Sequence, residues 1–541
     1  MKNLLLLGDE AIAQGAIDAG ISGIYAYPGT PSTEIMEYVI GSKEAKKNNI
    51  RTGWATNEKT AMEAALGMSY TGKRTMVCMK HVGLNVAADA FINSAITGAN
   101  GGLIVIVADD PSMHSSQNEQ DSRFYGKFAM IPILEPSNQQ EAYDMIHYSF
   151  DISEKFEIPV LLRITTRLAH SRAGVERKEL RDQNKIRLPG DPKQFILLPA
   201  NARRRYKVLL QNQARFEEES DNSVFNKYFE GADKSLGIVV TGIAYNYLME
   251  NFPDRNIPYP VIKIGQYPIP GLLLDRLYNE CEKIIVFEEG YPVVEEIISS
   301  YFGLGKKIKG RLDGTIQRDG ELNPNKVAKA LGLEIPETLP TPDIVKSRPP
   351  KLCDGCPHIY SYNALNEAII NYSKGRVFSD IGCYTLGALE PFNAINTCVD
   401  MGASITMAKG AADAGFTPAI SVIGDSTFTH SGITGLLDAV NDNSSITVII
   451  LDNGTVAMTG GQKSQATGKI EKICEAIGVE KDHIIVMNPL PKYHDENMRI
   501  FKQEIEYEGV SVLIPRRECI VTAAKRLRED KKKKELEKNI V

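Results

Sequence analysis

The sequence has 541 residues, of which 43% are apolar and 24% are charged, and its formal net charge at pH 7 is −6. A single hydrophobic core rarely serves a chain of this length, and the acidic balance argues against nucleic acid as the main partner. No run of about 18 apolar residues is present, so no transmembrane helix is expected. We therefore expect a cytoplasmic protein of several domains, with neither a nucleic-acid nor a membrane partner.

The first part of the sequence alternates strand-like and helix-like segments. Apolar runs of strand length include NLLLLG, GIYAYPGT, TMVCMK and GLIVIVAD, and helix-like segments such as DEAIAQGAIDAG follow the first two. This alternation favours a parallel sheet covered by helices, with NLLLLG as its first strand. We expect a first domain over residues 1–190 and a helical connector over residues 191–235.

Two further α/β domains are expected. The strand-like segments LGIVVTG, PVIKIG and KIIVFEEG indicate a small doubly wound domain over residues 236–333, and a proline-rich linker follows over residues 334–350. The segments RVFSDIG, PAISVIGDS and SITVIILDNGT lead into glycine-rich turns of a third domain, over residues 351–525. The tail over residues 526–541 is charged and predicts a solvated terminal helix.

The stretch GDSTFTHSG follows the apolar run AISVI and raises three hypotheses for Asp425. Asp425 could cap a helix, because Asp is favoured at that position. Ser426 could instead be the nucleophile of a GDS-type esterase, but no Asp-x-x-His pair, which such an enzyme needs near its C-terminus, follows Ser426. The third hypothesis is a metal–diphosphate anchor, which requires a second ligand at the end of the neighbouring strand.

That second ligand is present in SITVIILDNGT, which places Asn453 28 positions after Asp425. Mg²⁺ prefers oxygen ligands and completes its shell with phosphate oxygens. We expect it to be held by Asp425, Asn453 and the backbone carbonyl of Thr455, with Gly424 and Ser426 beside the diphosphate. The pattern resembles the thiamine-diphosphate motif, in which a GDG triplet at one strand end is followed at a distance by an N-N pair at the next. Ser426 replaces the usual third residue and DN replaces NN, and both departures leave the expected ligands in place.

A thiamine enzyme also needs a carboxylic acid that hydrogen-bonds the pyrimidine ring from a dry pocket. Glu58, in WATNEKTAMEAALGMSYTG, follows a strand-like start and opens a helix rich in small residues. The alternative is a surface glutamate favoured by the helix dipole. The diphosphate motif elsewhere in the chain favours the catalytic assignment.

Seven segments together carry a resemblance to a known family. They are YPGTPSTEI, NEKTAMEAALGMSYTGKR, KHVGLNVAADAF, CDGCPH, DIGCYTLG, CVDMGASI and GDSTFTHSGITGLLDAV with LDNGTVAMTGGQ. In consistent order over residues 3–520, they resemble the α subunits of indolepyruvate:ferredoxin oxidoreductases, within the 2-oxoacid:ferredoxin oxidoreductase superfamily. The resemblance implies an α/β fold of three doubly wound domains, namely pyrimidine-binding, transketolase-C-like and diphosphate-binding.

The resemblance also implies roles for single residues. Glu58 is expected to be the cofactor-activating acid, Thr30 in YPGTPS to lie near the substrate, and Arg123 in QDSRFYGKFAM to grip the substrate carboxylate. A guanidinium suits that grip because it pairs with a carboxylate through two parallel hydrogen bonds. The alternative for Arg123 is a surface ion pair with Asp121. Two histidines in family-like segments could be structural and receive no role: His81 and His430.

Four cysteines of the third domain are candidate ligands of an iron–sulfur cluster. Cys353 and Cys356 form a C-x₂-C pair, and superfamily members with a cluster beside the cofactor have cysteines at positions similar to these and to Cys383, with a fourth near the end of the domain, here Cys519. Four thiolates would complete a 4Fe-4S site. Zinc or no metal are the alternatives, and Cys398 could replace one ligand. The remaining cysteines look like packing residues: Cys78, Cys281 and Cys474.

The resemblance implies oxidative decarboxylation of an arylpyruvate with coenzyme A, giving an aryl-acyl-CoA, CO₂ and reduced ferredoxin. It further implies a small β-type partner subunit and an α2β2 assembly. The family's α subunit usually ends in a ferredoxin-like module, which we do not expect in a sequence that ends at Val541. Electrons would then leave through another subunit, through a soluble acceptor that docks directly, or not at all. The alternatives are a non-oxidative thiamine-dependent decarboxylase and a non-catalytic scaffold.

Overall fold

The computed structural model describes residues 3–302, 307–335, 339–346 and 348–538. The chain divides into two compact units, Met1–Leu339 and Pro340–Val541, which we call the N-terminal and the C-terminal unit. Among the described helices, none is both long enough and apolar enough to cross a membrane.

The described residues of the N-terminal unit form two mainly parallel sheets and a separate two-stranded ribbon. Their strands are β1 (Asn3–Leu7), β2 (Gly23–Ala26), β3 (Arg51–Trp54), β4 (Thr75–Lys80), β5 (Leu103–Asp109), β6 (Ile133–Leu134), β7 (Val160–Thr165), β8 (Arg172–Glu176), β9 (Lys227–Phe229), β10 (Gly237–Thr241), β11 (Val261–Ile264), β12 (Gln266–Tyr267), β13 (Lys283–Phe287) and β14 (Lys307–Lys309). The strand orders are β12-β6-β7-β5-β4-β2-β3 and β14-β13-β10-β11-β9. Only the edge strands β12 and β9 pair antiparallel within these sheets.

Helices connect these strands and cover the sheets. They are α1 (Gly8–Asp18), α2 (Thr33–Gly41), α3 (Lys43–Lys47), α4 (Glu58–Tyr70), α5 (His81–Thr97), α6 (Arg123–Ala129), α7 (Gln139–Phe156), α8 (Thr166–Ala169), α9 (Pro199–Asp221), α10 (Ala244–Met249), α11 (Gly271–Glu280), α12 (Val293–Phe302) and α13 (Pro324–Leu331). Every residue of the central strands β4, β5 and β7 is buried. Parallel strands covered on both faces read as continuous apolar runs for this reason.

The C-terminal unit contains a third parallel sheet, of order β15-β16-β17-β21-β20, and a short hairpin, β18-β19. Its strands are β15 (Val377–Ser379), β16 (Ala419–Gly424), β17 (Ile446–Leu451), β18 (Thr455–Val456), β19 (Gln462–Lys463), β20 (Ile484–Met487) and β21 (Val510–Pro515). Its helices are α14 (Pro357–Ala368), α15 (Ala403–Asp413), α16 (Asp425–Thr427), α17 (Ile433–Asn441), α18 (Ile470–Ile477), α19 (His494–Ile505) and α20 (Ile520–Lys538). The expected α/β fold with three parallel sheets is confirmed.

The first strand does not join the parallel sheet, so that expectation is wrong. β1 pairs antiparallel with β8 in the separate ribbon. Leu5 is 67% exposed whereas Leu6 is 5% exposed, because a two-stranded ribbon buries only one face. A run of leucines predicts a strand, but it carries no information about which strand will be its partner.

The expected connector contains helix α9. The expected linker and the expected charged tail are both exposed where the structure describes their side chains. Residues 336–338 and 347 of the expected linker over residues 334–350 lie outside the described residues, and the others form neither helix nor strand and are exposed. In the expected tail, residues 526–532 are exposed parts of α20, and residues 539–541 lie outside the described residues. The first two expected domains share the N-terminal unit, so the bounds between them stay predictions.

Candidate active site and cysteine pocket

The two expected magnesium ligands lie at the same edge of the third sheet. β16 and β17 are neighbouring parallel strands, with Gly424 paired in register with Leu451. Asp425 begins α16 directly after β16, and Asn453 stands two residues after β17. The backbone N–H of Gly454 donates to Oδ2 of Asp425 over 3.1 Å. The sheet therefore brings together two oxygen-bearing side chains in the way that the motif spacing predicts.

The carboxyl group of Asp425 is almost completely buried. Burial raises the pKa of Asp425 to about 7, and the negative charge of Asp452 adds to this effect. Hydrogen bonds to the carboxylate, of which the one from Ser464 has the largest effect, lower the pKa. Ionising such a group is costly unless a positive charge stands beside it. This environment fits a carboxylate that binds a divalent cation.

Asp452, which replaces the first asparagine of the usual motif, has a structural partner. Nε of Arg516 donates to Oδ2 of Asp452 over 2.6 Å, and the other two guanidinium nitrogens of Arg516 reach the Glu471 carboxylate over 2.7 Å each. The departure from the motif is therefore balanced by a local ion pair. It leaves Asn453 in the expected ligand position.

The side-chain amide of Asn453 is held from two sides. Its Oδ1 accepts a hydrogen bond from the backbone N–H of Thr455 over 3.0 Å, and its Nδ2 lies 3.4 Å from Nε2 of His358. Burial lowers the pKa of His358 to about 4, so the imidazole is neutral and its Nε2 can accept from the amide. Sequence analysis assigned His358 no role, although its position two residues after Cys356 of the C-x₂-C pair was an available signal.

Gly424 is required by a close approach of two chain segments. A Cβ at this position would stand 2.5 Å from Cε1 of Tyr384, the residue that follows Cys383. Beyond Gly424, α16 continues through a π-helical turn, Phe428–Gly432, into α17. Such turns occur frequently at functional sites. Ser426 is buried in the first turn of this segment, at the edge where the diphosphate is expected, and its backbone N–H donates to the Asp425 carboxylate.

All four expected cluster ligands line one cavity of about 260 Å³ in the C-terminal unit. Its lining includes Cys353, Cys356, Cys383 and Cys519, together with His358 and Asn453. Burial, together with the negative charges of the other three cysteines, raises the pKa of Cys383 to about 12. The thiols therefore stand close enough to repel one another as thiolates, and a cluster's iron would relieve that repulsion.

Cys398 does not belong to this cavity lining. After burial, the groups that act on its thiol are Thr385 and Asp380 and not the other cysteines. The geometry therefore favours Cys519 over Cys398 as the fourth ligand. The three cysteines expected to be packing residues are buried, as predicted: Cys78, Cys281 and Cys474.

Three of the four cysteines stand at the start of a helix or of a helical turn. Cys356 is the N-cap of α14, Cys519 directly precedes α20, and Cys383 opens the 3-10 turn Cys383–Ala388. The backbone N–H of Cys356 also donates to the carbonyl oxygen of Cys353 over 2.9 Å, which closes the turn between the pair. The partial positive charge at the start of a helix favours a thiolate.

The spacing of the sulfur atoms distinguishes between a single metal ion and a cluster. All four cysteines lie in the described part of the chain, and no three of their sulfur atoms fall within 4.8 Å of one another. A zinc ion with Zn–S bonds of about 2.3 Å needs sulfur atoms roughly 4 Å apart. The cysteines of the structure therefore do not form a closed single-zinc site, and the iron–sulfur cluster stays a prediction.

Glu58 is the first residue of α4 and is 6% exposed, which excludes the surface alternative. Its carboxylate lies against Gly83 in the first turn of α5, where an added Cβ would stand 2.6 Å from Oε1 of Glu58. The helix start is fixed by Asn57, whose Oδ1 accepts from the backbone N–H of Thr60 over 2.9 Å. The carboxyl group of Glu58 is therefore buried at a helix start, and its expected role at the pyrimidine ring stays a prediction.

Thr30 lies in the turn between β2 and α2 and is partly exposed. Hydrogen bonds within the turn hold its backbone, with Ser32 Oγ donating to the carbonyl oxygen of Gly29 over 2.8 Å and the N–H of Gly29 donating to Oγ1 of Thr33 over 3.0 Å. The expected role of Thr30 near the substrate stays a prediction.

The expected role of Arg123 does not fit the surroundings of its side chain in the structure. Arg123 is fully buried, so its pairing with Asp121 is not the surface ion pair of the alternative either. Its N–H groups have these acceptors: the carboxylates of Asp121 and Glu288, the hydroxyl of Tyr267 and the carbonyl oxygens of Glu289 and Tyr291. With every donor satisfied inside the protein, none remains for a substrate carboxylate.

His81 and His430, left without a role, are both buried. Nε2 of His81 lies 3.2 Å from the carbonyl oxygen of Asn118, and Nδ1 of His430 lies 2.7 Å from Oγ of Ser431. These contacts fit the structural alternative that sequence analysis kept open for both residues.

Comparisons with known proteins agree with this geometry. A family described as "Pyruvate flavodoxin/ferredoxin oxidoreductase, thiamine diP-bdg" matches residues 14–217, which include Glu58. A second family, described as "Thiamine pyrophosphate enzyme, C-terminal TPP binding domain", matches residues 380–513, which include Asp425 and Asn453. Both halves of the expected cofactor site therefore fall in segments typical of thiamine enzymes.

Full-length relatives carry a more specific name. The chain is 38% identical to the indolepyruvate oxidoreductase subunit IorA of Archaeoglobus fulgidus, over 98% of this chain and 89% of the relative. It is 39% identical to the subunit of the same name from Pyrococcus abyssi, over 97% and 87% respectively.

A solved structure supports the fold. The 2-oxoglutarate:ferredoxin oxidoreductase from Magnetococcus marinus is similar over 61% of this chain and 65% of that chain, with a TM-score of 0.51 and 17% identity. At this identity the likeness establishes the fold alone. Together with the full-length relatives, these findings show that the chain belongs to the indolepyruvate oxidoreductase subunit IorA family of thiamine-diphosphate-dependent 2-oxoacid oxidoreductases.

Proposed function

We propose that this chain is the catalytic subunit of a 2-oxoacid:ferredoxin oxidoreductase that acts on an arylpyruvate of the indolepyruvate or phenylpyruvate type. The products are an aryl-acyl-CoA, CO₂ and reduced ferredoxin, with coenzyme A as co-substrate. The observation that carries the proposal is that Asn453, an expected ligand of the cofactor's metal, also lines the four-cysteine cavity. The proposed thiamine site and the proposed cluster site would then lie next to each other. An oxidative decarboxylase requires this arrangement, because electrons must pass from the cofactor to the cluster.

Thiamine diphosphate, when bound, supplies the electron sink for decarboxylation. Asp425, Asn453 and the backbone carbonyl of Thr455 would hold the Mg²⁺ that binds its diphosphate. Gly424 allows the close approach of Tyr384, and the start of α16 would lie beside the diphosphate.

Glu58 is proposed as the acid that hydrogen-bonds the pyrimidine ring. Its burial supports this role, because a hydrogen bond to the ring is stronger away from water. Thr30 is proposed to lie near the substrate, on the basis of its position in YPGTPS. Arg123 is not part of the proposal, because its donors are satisfied inside the protein.

The four cysteines are proposed to hold a 4Fe-4S cluster that takes the two electrons one at a time. Their sulfur atoms do not form a closed single-zinc site, and the helix starts beside them favour thiolates. A ferredoxin or similar carrier is proposed as the acceptor. A small β-type subunit and an α2β2 assembly are proposed from the family.

The test is an anaerobic assay of the chain co-expressed with a small β-type subunit, on indolepyruvate and on phenylpyruvate. Viologen reduction is followed with and without coenzyme A, and the products are analysed for aldehyde. Reduction that depends on coenzyme A, with an aryl-acyl-CoA as product, is expected. Aldehyde without reduction would instead identify a non-oxidative decarboxylase, and failure to bind thiamine diphosphate would identify a scaffold.

A further inference from the structure

Three side chains of the N-terminal unit converge away from the residues discussed above. Asp9 lies in the first turn of α1, Glu34 lies in the first turn of α2, and His170 follows α8. One ligand atom from each residue lies within 4.8 Å of the other two. None of the three belongs to the proposed cofactor site or to the cysteine cavity.

Asp9 is the unusual member of this group. It is fully buried, and neither of its carboxylate oxygens has a hydrogen-bond partner. Burial, with the negative charges of Glu34 and Glu10, raises its pKa well above the ordinary value. A buried acceptor without a donor costs free energy, so its persistence in a fold needs a reason.

Glu34 and His170 complete the arrangement and open it to solvent. Oε2 of Glu34 is also buried without a partner, whereas its Oε1 lies 3.7 Å from Nε2 of His170. The side chain of His170 is 36% exposed. The group therefore has a closed end at Asp9 and an open end at His170, through which an ion and a water molecule can enter.

We propose that Asp9, Glu34 and His170 bind one divalent cation of the Zn²⁺ type, with water on the open side. Two carboxylate oxygens and one imidazole nitrogen suit a borderline-soft metal, whereas Mg²⁺ and Ca²⁺ prefer oxygen ligands alone. The two carboxylates balance the charge of the cation. The ion would supply the missing partner of Asp9 and tie the start of α1 to the start of α2.

The test measures zinc binding by the complete protein, purified anaerobically and saturated with Mg²⁺ and thiamine diphosphate. Equilibrium dialysis against micromolar Zn²⁺ gives the stoichiometry, and X-ray absorption at the zinc edge gives the ligand type. One zinc per chain is expected, with oxygen and nitrogen ligands at about 2.0–2.2 Å and not sulfur at about 2.3 Å. Neither readout requires turnover, so failure here is distinguishable from failure of the proposed function.

Variants assign the bound zinc to these residues. Asp9→Asn and His170→Gln should each weaken zinc binding about 100-fold or more, because loss of even an outer partner of a metal ligand costs about 10–100-fold. His114→Gln is the matched control, since His114 is an exposed histidine 3.4 Å from the Glu321 carboxylate, and it should bind zinc like the wild type.

Three results would overturn the proposal. They are an absence of zinc from the wild type, a zinc environment made of sulfur, and equal affinity in wild type and Asp9→Asn. Melting curves with and without Zn²⁺ check the folding of each variant. A wild type that binds no zinc, together with an Asp9→Asn variant of higher Tm, would show that Asp9 and Glu34 instead share a proton.

Discussion

The backbone N–H of Cys519 donates a hydrogen bond to the carbonyl oxygen of Asn453 over 3.1 Å. One expected cluster ligand is thus joined through the main chain to one expected magnesium ligand. The neighbouring residues reinforce this link, because Asp452 and Arg516 form a parallel bridge between the same two segments. The proposed electron site and cofactor site are therefore connected through the main chain.

Because this link uses only main-chain atoms, a change of the Cys519 side chain should affect iron binding but not cofactor binding. Cys519→Ser should lose cluster iron but keep thiamine diphosphate affinity, since the backbone hydrogen bond to Asn453 does not depend on the sulfur. Iron per chain and cofactor affinity, measured on anaerobically purified protein, check both parts. Cys398→Ser is the matched control and should retain its iron. Iron loss in the control with retention in Cys519→Ser would reverse the assignment of the fourth ligand.

Glu58→Gln should lower turnover by about 100-fold to 10,000-fold, the usual loss when an acid–base group is removed. Cofactor affinity should change little, because the change keeps the size of the side chain. The measurements are kcat with viologen as acceptor and thiamine diphosphate affinity by calorimetry. Glu63→Gln is the control, since Glu63 is an exposed residue of the same helix and pairs with Lys59. Activity near that of the wild type in Glu58→Gln would remove Glu58 from the catalytic set.

Gly83→Ala tests the position of the Glu58 carboxylate without changing its chemistry. The new Cβ would stand 2.6 Å from Oε1 of Glu58, so the carboxylate must move. We expect kcat to fall while KM and cofactor affinity stay close to those of the wild type. Gly67→Ala, in the same helix as Glu58, has nothing within 4 Å of its added Cβ and serves as the control. Equal kcat values for the two variants would contradict a positioning role for Gly83.

His358→Ala should weaken magnesium-dependent binding of thiamine diphosphate by about 10-fold or more, the usual cost of removing a partner of a metal ligand. The reason is that the neutral imidazole accepts from the amide of Asn453 and orients it. His358→Gln keeps an acceptor and should recover part of the affinity. Titrations of thiamine diphosphate at several Mg²⁺ concentrations measure the effect. An unchanged Mg²⁺ dependence in His358→Ala would show that His358 only packs.

The stability of the N-terminal unit should depend on pH through Glu288 and Glu289. Burial raises the pKa of each from 4.5 to about 7. The folded protein therefore holds these protons more tightly than the unfolded chain, and the stabilisation is full below pH 4.5 and lost as the pH rises towards 7. Asp121, with a pKa of about 2, stays ionised over this range and does not contribute.

Melting curves of the wild type and of Glu289→Gln check this pH dependence. The unfolding transition of the N-terminal unit should move to a lower temperature as the pH rises from 4.5 to 7, and the change should be smaller in Glu289→Gln, which has no proton to lose at this position. A Tm that rises over this interval in the wild type would contradict the direction of the pKa shifts.

Short-range patterns in the sequence were enough to predict the sheet edge at which Asp425 and Asn453 meet, whereas the full cysteine set came from the family resemblance. Asp425 and Asn453 each follow an apolar strand, and neighbouring parallel strands bring their carboxyl ends to one edge. Glu58 was likewise recognisable at a helix start within a small-residue segment. These features depend on residues close in sequence, whose periodicity specifies strands, helices and turns.

Contacts between residues far apart in sequence were decided by the tertiary structure alone. Arg123 reaches Tyr267 and Glu288, more than a hundred positions away, and this packing consumes the donors that a substrate would need. The contact between Gly83 and Glu58 and that between His358 and Asn453 also join separate elements. The sequence by itself determined the fold class, the family and most of the candidate ligands. Only the packing of the sheets and helices decided which charged side chains are already satisfied, because burial and partner geometry are properties of the folded chain.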